Sequence, residues 1–228
     1  NNQYALSANN NHGDYGISIS NTSSPVPSYV KLINVGATGN DQYGLYVASS
    51  GYIYAKSLRT EGNSRDGAYL YSSSGIVTIS GDNYFRFNGE YGLKVEANGA
   101  ISVSKAVAWK NGFEGIALIT PSGNITVANI TAAENGGTGV RLEGAGNFSI
   151  NKVLAFNNGW GGFSGRRNDG LSIKTTNAIS AVTIMNSTIM NNVGSGIEIE
   201  HPNPLFSPFL YMTNYNGNGE ANLYVHTP

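Results

Sequence analysis

The sequence predicts an all-β fold, a right-handed parallel β-helix solenoid with three strands per coil and about eight to nine coils of roughly 23–25 residues. Three observations predict it. A glycine followed by an apolar-x-apolar triplet recurs at Gly16, Gly44, Gly67, Gly92, Gly115, Gly139, Gly170 and Gly196, at successive steps of 28, 23, 25, 23, 24, 31 and 26 residues. Four residues before most of these glycines stands an asparagine: Asn40, Asn63, Asn88, Asn111, Asn135 and Asn192. Between these markers the apolar residues alternate with period two, which is the mark of strands.

Each unit holds three short runs, seen in the unit that opens at Gly115 as GIAL, NITV and NITAAEN. In the first run Leu93 and Val95, Ile116 and Leu118, Val140 and Leu142, and Ile197 and Ile199 share one side, while Lys94, Ala117, Arg141 and Glu198 take the other. A leucine-rich repeat has a similar period, but its L-x-x-L-x-L frame is missing and no run has helical spacing. Coils stacked about 4.8 Å apart place each corner asparagine over the next, so a ladder of amides satisfies backbone groups that the turn would otherwise leave unpaired. Asparagine also tolerates the left-handed backbone of a sharp corner, as does the glycine that often follows it. These positions are read as architecture.

The totals set bounds. The chain has 228 residues and is read as one β-helix domain over 1–228. Charged residues make up 12% and the net charge is −1, so neither nucleic acid nor an anionic membrane surface is an expected partner. Cysteine is absent, which excludes disulfides, and no apolar run reaches membrane-spanning length. The opening NNQYALS, without Met or a signal peptide, is expected of a processed product or an excised segment.

In a solenoid, function sits where the repeat breaks or on an outward column. The first break is the strand-breaking loop at 21–30, NTSSPVPSYV, and the second is the insertion at 159–169, GWGGFSGRRND. The third is the stretch HPNPLFSPF at 201–209, expected to replace the middle strand of its coil and to protect a side or edge of the solenoid. The insertion gathers Trp160, Phe163, Arg166, Arg167 and Asp169, a sugar-binding chemistry in which rings stack on pyranose faces and charged groups fix hydroxyls or uronates. The competing reading folds Trp160 and Phe163 back over the barrel and leaves the arginines solvated.

Alternation defines two outward columns on the first strand. One runs Ser18, Tyr46, Tyr69, Lys94, Ala117, Arg141, Ser172, Glu198; the other runs Ser20, Ala48, Tyr71, Glu96, Ile119, Glu143, Lys174, Glu200. Tyr46, Tyr69 and Tyr71, with Tyr43 and Tyr91 at the preceding corners, form an aromatic patch and a second candidate for glycan stacking. Glu143, Lys174 and Glu200 read as an exposed acid-base-acid ladder.

No catalytic residue is assigned. Hydrolysis needs two carboxylates facing each other across a bond, yet Asp66, Glu114 and Asp169 occupy corners of alternate coils, roughly 10 Å or more apart. The three histidines are scattered and give no metal-ligand spacing; no cofactor is expected, and calcium is left open. The N-x-S/T triplets at Asn21, Asn124, Asn129, Asn147 and Asn186 are what an Asn- and Thr-rich strand protein contains by composition.

The unit NG..GL.V...G.I.V....A..N resembles the parallel β-helix repeats of secreted bacterial proteins, over nearly the whole chain. NVGATGNDQYGLYVASSGYIYAKSLRTEGNSRDGAYLY is similar to β-helical segments of long repetitive bacterial cell-surface proteins. That resemblance implies an extracellular or cell-surface module, structural or adhesive. The aromatic and charged residues above make a polysaccharide or surface glycan the expected partner, and open solenoid ends, as pairing-competent edges, allow end-to-end stacking with other β-helix segments. Polygalacturonases and pectate lyases share the architecture, but their N-T-D, D-D, G-H-G and R-I-K motifs are absent here. The alternative expectation is a polysaccharide-active lyase or glycoside hydrolase with its site near 159–169.

Overall fold

The computed structural model describes residues 3–4, 7–9, 15–22, 28–161 and 168–227. The first run of each coil joins a nine-stranded parallel sheet that includes Tyr43–Ser49, Ala68–Ser72, Leu93–Ala97, Ile116–Thr120, Val140–Gly144, Leu171–Thr175 and Ile197–Glu200. Register follows the glycines: Leu93 pairs with Ile116, Ile116 with Val140, and Val140 with Leu171 across the 31-residue step.

The second and third runs share the other sheet, of thirteen strands. In five coils they fuse into one nine-residue strand: Val30–Thr38, Ile53–Glu61, Ile101–Trp109, Ile125–Ala133 and Phe148–Phe156. Each is bent at its fifth residue (Asn34, Ser57, Lys105, Asn129, Lys152), which lies in the left-handed region at φ 53–57°. One left-handed residue in an otherwise extended run turns the chain while leaving the flanking hydrogen bonds intact. Period-two alternation then sends Ile101, Val103, Ala106 and Ala108 inward on both sides of the bend. The interior is a continuous column of Leu, Ile, Val and Ala with Phe85 and Phe148, each large side chain contributing about 1.5–3 kcal/mol by burial.

The asparagine ladder is present and longer than the spacing predicts. It runs Asn40, Asn63, Asn88, Asn111, Asn135, Asn158, Asn192, Asn218, each Nδ2 donating to the Oδ1 of the next at 2.7–3.0 Å. The backbone N–H of each donates to that same oxygen at 3.0–3.2 Å. From Asn63 onward, Nδ2 also donates back to a carbonyl of the preceding coil, as Asn111 does to Phe85 at 3.0 Å. The left-handed residue of this corner is not the ladder asparagine, as its residue type led us to expect, but the residue before it, Lys110 before Asn111 for example. The recurring glycine is fixed by space: a Cβ on Gly92 would lie 2.6 Å from both Asn111 Nδ2 and the Gly115 carbonyl oxygen.

The stretch 201–209 does not replace the middle strand of its coil. That strand survives as Phe209–Tyr211, paired with Val182–Met185, and the proline-rich segment precedes it. His201 is buried, stacks on Phe206 at 3.8 Å, and its Nε2 lies 3.1 Å from the Ser180 carbonyl, while Phe206 packs against the core. Of the 21–30 stretch, residues 23–27 lie outside the described residues, and the following strand begins at Val30.

Candidate functional site

The outward face of the nine-stranded sheet carries the two columns in the order expected: Tyr46, Tyr69, Lys94, Ala117, Arg141, Ser172 and Glu198 are successive partners, as are Tyr71, Glu96, Ile119, Glu143, Lys174 and Glu200. At one end lies an aromatic cluster. Tyr15 stacks on Tyr43 at 5.4 Å, Tyr46 meets both Tyr15 and Tyr43, and Tyr69 meets Tyr46 edge-on at 5.6 Å. The rings that meet differ from those expected: Tyr15 belongs to the cluster, Tyr71 joins none of these ring pairs, and Tyr91 turns to Phe113 at 5.8 Å. Tyr15 occupies the corner position one coil before Tyr43, a column that reading Tyr43 and Tyr91 alone did not extend far enough.

Tyr69 links the rings to a polar network. Its hydroxyl donates to Glu96 at 2.8 Å, and Lys94 Nζ pairs with Glu96 at 2.9 Å while sitting 4.8 Å above the Tyr69 ring. Burial together with the carboxylate partner pushes the Tyr69 hydroxyl well above its ordinary pKa, so it stays a donor. Burial alone would raise Glu96, but the hydrogen bonds from Lys94 and Tyr69 outweigh it and hold the carboxyl below its usual range. Farther along, Arg141 pairs with Glu143 at 2.6 Å and reaches Glu114 at 3.5 Å, and Lys174 pairs with Glu200 at 2.7 Å. The acid-base-acid ladder expected to be solvated is thus altered: Glu200 is buried, and Glu143 pairs with Arg141 on its own strand. His226 Nε2 meets Glu198, also buried, at 3.1 Å.

The corner acids Asp66, Glu114 and Asp169 are all buried and stand on alternate coils, with Tyr91 and Thr138 between them in the hydrogen-bonded column. Asp66 Oδ1 accepts the Tyr91 N–H at 3.2 Å, and burial pushes its carboxyl up to about 6. Asp169 Oδ1 accepts the Ser195 N–H at 2.8 Å. Among the described residues no group of three or more acidic, His or Cys side chains is placed to hold a metal ion, and no helix is long and apolar enough to cross a membrane.

The insertion divides. Phe163, Arg166 and Arg167 lie outside the described residues. Trp160 points outward, 62% exposed, and its Nε1 donates to the Glu134 carbonyl; it does not fold back over the barrel. Asp169 is turned into the corner, away from a ligand-facing position.

No curated protein sequence matches the chain. Among solved structures, the A-module of the Azotobacter vinelandii mannuronan C-5 epimerase AlgE4 is similar, with a TM-score of 0.60 and 17% identity, over 87% of this chain. This chain spans 57% of that structure, and at this identity the likeness concerns the fold. The family model for the right-handed β-helix region matches residues 5–131 and 82–216. With stacked parallel coils, an unbroken amide ladder and that match over most of its length, the chain belongs to the right-handed β-helix family.

Proposed function

We propose that this chain is a non-enzymatic, extracellular β-helical module, structural or adhesive, that holds a polysaccharide along the outward face of its nine-stranded sheet. One observation carries the reading: Tyr15, Tyr43, Tyr46 and Tyr69 form a continuous aromatic surface that leads directly into the Tyr69–Glu96–Lys94 network. Tyrosine rings offer flat apolar faces to pyranose rings at little conformational cost, and the network beside them supplies donors and acceptors for hydroxyls. The columns run along the solenoid axis at about 4.8 Å per coil, a track suited to an extended polymer. The fold-related A-module comes from an enzyme named for a polysaccharide, mannuronan, which agrees with a glycan partner. Affinity electrophoresis and calorimetry against neutral and uronate polysaccharides test the proposal. Tyr46→Ala is expected to weaken binding at least about tenfold; unchanged affinity removes the sheet face as the site.

A further inference from the structure

A second outward surface lies on a different part of the coil, at the corner just before the ladder asparagine. That corner position is left-handed throughout, and glycine suits it at Gly39, Gly62 and Gly217, with φ 65–67°. In the five coils between Gly62 and Gly217 it carries Phe87, Lys110, Glu134, Asn157 and Asn191 instead, at φ 53–55°. A bulky residue in this region is unfavourable, and the stacked coils do not require one. The backbone bonds Phe87 N–H to Trp109, Lys110 N–H to Ala133 and Glu134 N–H to Phe156 keep these residues one coil apart, so their side chains form a file on the outside.

With Trp160, the first four of them line an open cleft of about 650 Å³. At one end Phe87, 43% exposed, meets Trp109 edge-on at 4.9 Å. At the other, the Trp160 indole is pinned through its N–H to the Glu134 carbonyl while most of the residue stays exposed. Lys110 Nζ sits 4.7 Å over the Trp109 ring and 3.4 Å from the Glu134 carboxylate.

We propose that this cleft is a carbohydrate site distinct from the sheet face, and that it takes a neutral pyranose. The aromatic rings stack on the C–H face of the sugar, and the ammonium of Lys110, the carboxylate of Glu134 and the amide of Asn157 bond its hydroxyls. The preference for a neutral sugar follows from charge: the Lys110 cation is already balanced by Glu134, and among the described residues no other charged group lines the cleft. Among the described residues a uronate entering here finds no unpaired cation and meets the Glu134 carboxylate.

The chain has two tryptophans, Trp109 and Trp160, and both are at this cleft, so intrinsic fluorescence reports on it directly. The full chain is titrated with gluco-, galacto- and manno-oligosaccharides, with oligomannuronate as the charged comparator, and each variant is followed by calorimetry. A saturable change in emission is expected with one neutral series. Its affinity is expected to fall at least tenfold in both Trp160→Ala and Lys110→Met, and to persist in Tyr46→Ala. The cleft is excluded if no neutral series alters the emission, if Trp160→Ala binds as before, or if oligomannuronate binds more tightly than every neutral series. Loss of all binding in Tyr46→Ala also excludes it, while leaving the sheet-face site standing.

Discussion

The side-chain amide of Asn111 donates to Asn135 Oδ1 at 2.9 Å, and the Asn111 backbone N–H reaches the same oxygen at 3.1 Å. Asn111 Oδ1 in turn accepts both the amide and the backbone N–H of Asn88. Removing this one side chain in Asn111→Ala takes the acceptor from two donors of Asn88 in a buried corner and removes one hydrogen bond from the Phe85 carbonyl. A loss of about 2–4 kcal/mol is expected, measured from denaturant midpoints at constant slope. A loss below about 1 kcal/mol would mean that the ladder adds little to the backbone bonds between coils.

Glycines of two kinds are expected to respond oppositely. In Gly92→Ala the new methyl lies 2.6 Å from Asn111 Nδ2 and from the Gly115 carbonyl, so the ladder must move, at a cost of about 1–3 kcal/mol or more. In Gly36→Ala the nearest atom is 3.9 Å away, and loss of unfolded-state freedom favours the variant by about 0.4–1 kcal/mol. Thermal melts of the pair suffice, and equal effects would contradict the close approach at the glycine column.

Asp66 makes stability depend on pH. Its folded pKa is raised to about 6 by burial, above the unfolded value of about 3.9, so the folded state binds the proton more tightly. Its contribution is fully present below about pH 4 and is lost as the pH rises through about 6. Two pKa units correspond to at most about 3 kcal/mol. Asp66→Asn is expected to flatten this decline, matching the parent near pH 4 and exceeding it at pH 8. Parallel pH profiles for the two proteins would show that Asp66 is not desolvated.

Phe85 and Trp160 separate core from surface. Phe85 is fully buried, and Phe85→Ala is expected to cost about 3–5 kcal/mol. Trp160→Ala removes a larger side chain but one that faces solvent, with a change within about 0.5 kcal/mol. A large loss in Trp160→Ala would restore the barrel-covering role weighed from the sequence.

The solenoid was legible because its two strictest requirements are local and repeat: a residue without Cβ at Gly92 and its equivalents, and an amide at Asn111 and its equivalents. Spacing from the glycine missed Asn158, because the 159–169 insertion falls between it and Gly170. It also missed Asn218, because Asn222 and not glycine contributes the carbonyl facing Gly196. Matching Phe156-Asn157-Asn158-Gly159 to Trp109-Lys110-Asn111-Gly112 would have found the first. Column order on the sheet face was readable from alternation alone. The burial of Glu198 and Glu200 was not, since it depends on what covers the strand and not on which side a residue faces. The cleft at Phe87, Lys110 and Glu134 escaped notice because these residue types are ordinary in a loop; what sets them apart is a backbone conformation that no pattern of letters displays.

Asn158 and Asn192 make the same contacts as their neighbours, at 2.9 and 3.1 Å, although 34 residues separate them where most other rungs are 23–25 apart. Contour length between rungs is therefore free to vary while the docking of one coil on the next is not. Closing a longer excursion costs only a logarithm of its length. The step from Asn158 to Asn192 is accordingly where added sequence costs the spine least.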